Sequence, residues 1–573
     1  MRIIYGKGIF VRFYLCVVVT LGALAFGACT DSEKGLLEAP SGTTEIPMNQ
    51  VWFEEVAAES GLNFVHVSGH SDRFLLPEIM SGGAALFDMD QDGDLDAYLV
   101  QSGQLDTSAE PRLGNQLFEN LGDGIFDDIT KDSGADDRGY GMGVAAGDYD
   151  NDGDIDLYVT NLGPNTLLRS EGNGKFTDVT KSAGVGEPSW SASAVFFDYD
   201  RDGDLDLYVT NYLDWSVETE LSCYSLSGAP DYCSPKNYNA PVADTLYRND
   251  GAGVFNDVSA DAGLHTTFGP GLGVVTGDFD LNGSEDVFVA NDGMLNQLWS
   301  NSGSLPLVDV ALERGVAIDQ DGKTKAGMGV HATDVDNDGD LDLLVVNLDG
   351  ESDSFYRNQR DFFTDDTAAV GLRAVSRPFT RFGIALLDFN NDGRLDLYQA
   401  NGRVGLQSER FSADPYAEPN LLYRGTPEGL FEEVIPRGGT AELLVGTSRA
   451  AVFGDVNNDG GIDILVMNRD SSPYLLRNKI SDRGHWINFR VLDANGRDAI
   501  GSTVTMNVGT RRVERIVHAG YSYLGSNDPR VHVGIGTEVS VENVTVSWPN
   551  GTLEDFGAFG IDQAVILRRG TAK

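Results

Sequence analysis

Seven segments of this chain set carboxylates at the same alternating positions around a glycine. They begin at Asp88 (DMDQDGDLD), Asp148 (DYDNDGDID), Asp198 (DYDRDGDLD), Asp278 (DFDLNGSED), Asp334 (DVDNDGDLD), Asp388 (DFNNDGRLD) and Asp455 (DVNNDGGID). Positions 1, 3, 5 and 9 carry Asp88, Asp90, Asp92 and Asp96 in the first loop, Asp148, Asp150, Asp152 and Asp156 in the second, and Asp198, Asp200, Asp202 and Asp206 in the third. The fourth has Asp278, Asp280, Asn282 and Asp286, and the fifth Asp334, Asp336, Asp338 and Asp342. The sixth has Asp388, Asn390, Asp392 and Asp396, and the seventh Asp455, Asn457, Asp459 and Asp463. Alternate side chains at 1, 3 and 5 turn inward on one point, Gly at 6 lets the backbone reverse, and Asp at 9 closes the cage. That is the ligand chemistry of a hard, oxygen-loving cation, and flexible carboxylate loops favour Ca²⁺ over Mg²⁺ or Mn²⁺. Without cations, 25 carboxylates packed into seven loops would repel strongly. Up to seven mainly structural Ca²⁺ are expected.

What positions these loops is not an EF-hand. That motif needs a bidentate Glu at position 12, where this chain has Leu99, Val159, Val209, Val289, Val345, Gln399 and Val466. A strand signal follows each loop (LDLYVTN, EDVFVAN, IDILVMN), and a run of small apolar residues precedes it (GMGVAAGDYD, GLGVVTGDFD). Each loop therefore reads as the tip of a β-hairpin. Third strands follow (NQLFEN, NTLLRS, DTLYRN), and a Phe-led or Leu-led segment supplies a fourth, from Phe53 through Phe126, Phe176, Phe255, Leu307 and Phe363 to Phe431. Loops recurring every 50–80 residues, with four strands per unit, predict an all-β, seven-bladed β-propeller over residues 51–480. A fourth-strand signal precedes the first hairpin and the last unit lacks one, so the strand at Phe53 should complete blade seven. Residues 481–573 read as a small separate β domain (INFRVLD, STVTMNVG, RVHVGIG, ENVTVSW), with Trp548 buried at a turn.

The rest of the chain supplies an address. Arg2, Lys7 and Arg12 precede an apolar run over residues 13–28, and Cys29 follows small residues. Residues 1–29 read as a signal peptide of lipoprotein type lipidated at Cys29, and residues 30–50 as a flexible tether. Cys223 and Cys233, outside that leader, suit a disulfide in an oxidising compartment. Export to a bacterial cell envelope or beyond is expected, with membrane contact only through the lipid. Eighty-eight acidic against 41 basic residues, a net charge of −47, argues against nucleic acid as a partner.

The acidic loops together with the LYRN…GxGxFxDV phrase resemble FG-GAP/VCBS repeats, the blades also found in integrin α-subunits. The tail resembles the ASPIC/UnbV module through His485-Trp486-Ile487, Asp498-Ala499-Ile500-Gly501, Gly534-Ile535-Gly536 and Trp548-Pro549-Asn550-Gly551. The whole order is similar to the cartilage acidic protein family and its bacterial relatives. That resemblance implies a secreted calcium-binding propeller with a role in adhesion.

Catalytic signatures are sparse. Ser522 in GYSYLG has the wrong spacing for a nucleophile elbow, and no Walker or dinucleotide motif occurs. His66 and His70 (HVSGHSD) read as a solvated loop rather than a metal site, and His331 as packed near a central channel. Two insertions, residues 213–240 with Trp215, Tyr224, Tyr232 and Tyr238, and residues 402–419 with Arg403, Arg410, Phe411 and Tyr416, either carry ligand specificity or cap the ring. The expected function is an exported calcium-binding module for a protein or glycan. The alternatives are an enzyme acting on polysaccharide and a structural subunit of a surface complex.

Overall fold

In the computed structural model the described residues are 50–105, 112–251, 253–407 and 411–572. The expected signal peptide, Cys29, nearly all of the tether, and Arg410 lie outside them. Seven four-stranded antiparallel units follow one another along the chain. Blade two shows the pattern: Gly141–Gly147 pairs with Asp156–Asn161, then Thr166–Ser170, then Phe176–Asp178. The first strands of the others are Ala84–Phe87, Ser191–Phe197, Gly271–Gly277, Val330–Thr333, Arg381–Leu387 and Ser448–Gly454. Each of these inner strands touches the inner strands of the blades on either side, and that of blade seven touches that of blade one. The ring is closed and the architecture is a seven-bladed propeller.

Closure uses the strand expected for it. Phe53–Glu55 pairs antiparallel with Tyr474–Asn478, Phe53 opposite Asn478. Trp52 and Phe53 are fully buried, and the Phe53 ring meets Phe389 of blade six edge-on at 5.5 Å. Deleting residues 51–62 should open blade seven. Phe53→Ala alone is expected to cost about 3–5 kcal/mol, read from the urea midpoint; a loss below about 1 kcal/mol would show that this strand does not close the ring.

The chain after 480 forms two further sheets. One orders Val531–Gly536, His485–Leu492 and Gln563–Arg568; the other Arg511–Ile516, Thr503–Val508, Val541–Ser547 and Leu553–Phe559. Trp548 lies buried between them, in a core shared with blades two and three. This module is not set apart from the propeller: the described residues form one compact unit. The reason is the segment between its strands at 516 and 531, which enters the channel.

Inside the channel this segment hydrogen-bonds to six of the seven inner strands. Gly525–Ser526 pairs in parallel with Ala84 and Ala85. Ser522 exchanges backbone hydrogen bonds with Val330 at 2.8 and 3.0 Å; its hydroxyl donates to the Ala451 carbonyl at 2.8 Å and accepts from the Ile384 N–H at 2.9 Å. The Leu524 N–H donates to Ser193 Oγ, the Ala146 N–H to Ser526 Oγ, and the Phe453 N–H to Asn527 Oδ1. Ser522 and Leu524 both have positive φ, 85° and 56°, a strained setting for side-chain-bearing residues that the surroundings must enforce. The small residues of the inner strands make room: a Cβ on Gly83 would lie 1.8 Å from the Leu524 carbonyl oxygen.

Candidate metal centres and the capped channel

The seven acidic loops join first to second strands, so all lie on one rim. At position 4 the backbone is left-handed in every loop, at Gln91, Asn151, Arg201, Leu281, Asn337, Asn391 and Asn458, with φ of 54–63°. Gly at 6 follows with φ of 82–98°, where a Cβ would be disfavoured. This double reversal folds position 1 back onto the loop: Asp148 accepts the N–H groups of Asp152 and Gly153 at 3.2 and 2.8 Å. The Asp at 9 is also a bracket. Asp96 accepts from the Met89 N–H with one oxygen and from the Asn120 N–H, on the third strand, with the other. Asp206, Asp286 and Asp463 repeat the arrangement.

Ligand oxygens meet in five loops. In each, three carboxylates offer oxygens within 4.8 Å of one another: Asp88, Asp90 and Asp96; Asp148, Asp150 and Asp156; Asp198, Asp200 and Asp206; Asp278, Asp280 and Asp286; Asp334, Asp336 and Asp338. Loops six and seven form no such triad among the described residues. There Asn390 and Asn457 stand at position 3, where all five triads have an Asp. The residues fit a hard cation on a further count. Oδ1 of Asp88, Asp150, Asp198 and Asp200 is buried with no hydrogen-bond partner, a costly state for a carboxylate unless a cation meets it. Burial, with repulsion from the other carboxylates of each loop adding to it, pushes Asp96 up to about 8, Asp206 to about 9, Asp286 to about 8 and Asp342 to about 7. A bound divalent cation would supply the charge that holds them ionised.

The C-terminal module covers this rim with arginines. Arg490 Nη1 lies 2.6 Å from Asp88 Oδ2 and also grips Asp498. Arg515 donates to the Asp334 carbonyl at 3.3 Å, Arg530 to the Asp455 carbonyl at 3.2 Å, and Arg511 to the Gly393 carbonyl. Arg483 pairs with Asp459 Oδ1 at 2.7 Å. Sequence reasoning missed this cap; the signal was the near-balance of charge in residues 481–573 beside a very acidic propeller.

The opposite end of the channel is closed by the two insertions. Cys223 and Cys233 form a disulfide bracing the first. Asp231 ties it to the second, accepting from the Tyr416 hydroxyl at 3.0 Å and the Leu406 N–H at 2.7 Å. The Tyr232 hydroxyl reaches Glu78 at 3.2 Å and His70 Nδ1 at 2.6 Å. Arg449, fully buried, donates to the carbonyls of Ile79, Gly402 and Arg403 at 2.7–2.9 Å. Of the two readings of the insertions, capping the ring is therefore realised. His66 is not in a solvated loop: it is buried, held by Ser102 Oγ at 3.0 Å, and burial lowers it to about 4. His331 is buried and stacked on Tyr521 at 4.1 Å.

These features define a class: a propeller with carboxylate metal loops on one rim, capped by a β module that threads its channel. Comparison with known proteins makes the relationship specific. An FG-GAP-like repeat model matches residues 88–159, 148–209, 278–345 and 334–398, and an ASPIC and UnbV model matches residues 492–573. The chain is an FG-GAP-repeat protein with a C-terminal ASPIC/UnbV domain, homologous to cartilage acidic protein 1. It is 27% identical to that protein of Homo sapiens over 326 residues, 55% of this chain and 45% of the relative, and 25% identical to that of Xenopus tropicalis over 315 residues, 52% and 45%. The chain thus spans just under half the length of these relatives. Among solved structures, YCF48 bound to a D1 peptide aligns with a TM-score of 0.38 at 8% identity, over 76% of this chain and 99% of that one. A Bacillus licheniformis rhamnogalacturonan lyase aligns with a TM-score of 0.37 at 13% identity, over 75% and 76%. Likenesses at this level carry no argument about ligand.

Proposed function

We propose that this chain is an exported, calcium-stabilised binding module. The observation that carries the reading is the set of five carboxylate triads in register on one rim, the first three of which hold buried oxygens that no protein group satisfies. The disulfide fits an oxidising compartment, and among the described residues no helix is long and apolar enough to cross a membrane. Membrane contact would come only through a lipid on Cys29. The ligand is a protein or glycan, bound on an outer surface, since the chain's own segment threads the channel. An opening of about 810 Å³ between blades two and three, lined by Tyr140, Trp190, Trp215, Asp214, Glu218 and Phe268, offers aromatic and acidic groups together. Elemental analysis of the purified protein is expected to return at least five Ca²⁺ per chain. A protein with no bound calcium at millimolar Ca²⁺ would overturn the reading.

A further inference from the structure

The C-terminal module does not sit flush on the rim. A cleft of about 570 Å³ remains between its strands and loops one and seven. Its roof follows from strand alternation. Asn488 of His485–Leu492 stands opposite Ala564 of Gln563–Arg568, and Arg490 opposite Ile566. Side chains two residues apart share a face of a sheet, so Trp486, Asn488 and Arg490 form one row and Ala564 and Ile566 the next, and all five line the cleft. Asp88, Asp92 and Leu95 of loop one line it from the propeller side. Loop seven holds Trp486 in place: a Cβ on Gly460 would lie 2.0 Å from its ring.

What the cleft lacks is a hydrogen-bond donor. Asn488 is 3% exposed and its Oδ1 has no hydrogen-bond partner, a costly state for a buried amide. The two arginines that line the cleft are already engaged: Arg490 lies 2.6 Å from Asp88 and 3.1 Å from Asp498, and Arg530 2.8 Å from Asp528. The cleft also has a backbone to offer. Gln563–Arg568 is the outermost strand of its sheet, and Gln563, Ala564, Val565 and Ile566 line the cleft in succession. Consecutive side chains of a strand point to opposite faces, so an unbroken run places the strand edge itself at the cleft. Ala564 and Ile566 are exposed there.

We infer that this cleft takes the Lys or Arg side chain of an extended peptide that adds as a strand to Gln563–Arg568. The strand edge pairs with the peptide backbone, and the cleft beside it receives a side chain. The small Ala564 leaves room for a long basic side chain to enter. Its stem lies along Ile566 and Trp486, and its tip donates to Asn488 Oδ1. The net charge of −47 steers such a peptide inward. This site is separate from the opening between blades two and three. It rests on reading the chain as a binding module, and not on its calcium.

The test is fluorescence anisotropy of a labelled peptide, Lys-Val-Lys-Val-Lys, with the full chain in millimolar calcium. Physiological salt screens long-range attraction to the acidic surface. The peptide should bind saturably, and its fully N-methylated form, which cannot pair as a strand, should not. Asn488→Leu should weaken binding at least about tenfold without lowering the melting temperature, because it removes an unsatisfied buried group. Ala564→Phe, at an exposed position, should block entry and leave the melt unchanged. Absence of binding at millimolar peptide, or equal binding by wild type and both variants, would overturn the inference. Chitohexaose binding that is lost in the same variants, or a dimer that Ala564→Phe dissolves, would give the cleft another occupant and overturn it equally. A protein that binds the peptide yet carries no calcium would overturn the calcium reading alone.

Discussion

Metal-stripped protein is expected to melt far below the calcium-loaded form, and the gap should widen as pH rises from 5 to 9. The argument begins with the carboxyls at position 9. In the folded chain without metal, burial holds Asp96 near 8, Asp206 near 9 and Asp286 near 8, against roughly 3.9 for an unfolded Asp. The folded form therefore binds more protons than the unfolded form between these values. A group raised in the folded state contributes stability that is complete below about pH 4 and is lost as pH climbs through its folded value. Metal-free protein should thus lose stability steadily toward pH 9. Calcium reverses the sign, because a cation needs ionised ligands and protons compete with it. Each site held at 100 times its Kd adds about 2.7 kcal/mol. Five such sites together add about 13 kcal/mol, toward the upper end of the roughly 5–15 kcal/mol net stability of an ordinary domain. Scanning calorimetry with and without chelator at pH 5, 7 and 9 checks this. Coincident melting curves at pH 9, or a stripped form whose Tm rises with pH, would refute it.

Most of the ring is written locally. Asp, Asn and Gly at fixed offsets dictate the hairpin tips, and strand grammar on either side dictates the blades, so the seven loops and the closing strand at Phe53 can be read without coordinates. Even the left-handed position 4 has a trace, since four of its seven occupants are Asn; Leu281 and Gln91 there give no such hint. What cannot be read locally is whatever depends on distant partners. Ser522 looks like an unremarkable loop serine until Val330, Ile384 and Ala451 converge on it from three blades. Asp231 and Tyr416 lie 185 positions apart and meet only because both insertions leave the same rim.

Removing residues 481–573 should cost the propeller most of its stability, although the repeats alone suggest a free-standing ring. The channel segment supplies Tyr521, Tyr523 and Leu524, which are 6%, 0% and 1% exposed. Burying each large apolar side chain contributes about 1.5–3 kcal/mol, so the three together rival the net stability of a domain. Truncation would also strand polar groups: the N–H groups of Ile384 and Phe453 and the carbonyl of Ala451 each lose a partner inside a narrow channel, at about 1–3 kcal/mol apiece where water cannot replace it. The rim would also lose Arg490 from the Asp88 carboxylate and Arg515 and Arg530 from the backbone carbonyls of Asp334 and Asp455. Tyr523→Ala tests the same contact in the intact chain. Its ring packs 5.0 Å from that of Phe382, and the substitution should cost about 3–5 kcal/mol at saturating calcium. Ser522→Ala should cost less, since it removes two hydrogen bonds and leaves the backbone pairing with Val330. If the truncated propeller melts within a few degrees of the full chain in calcium, the segment is a passive filler. If Tyr523→Ala alone lowers the urea midpoint without changing calcium content, the cap stabilises the ring from its axis, independently of the metals on its rim.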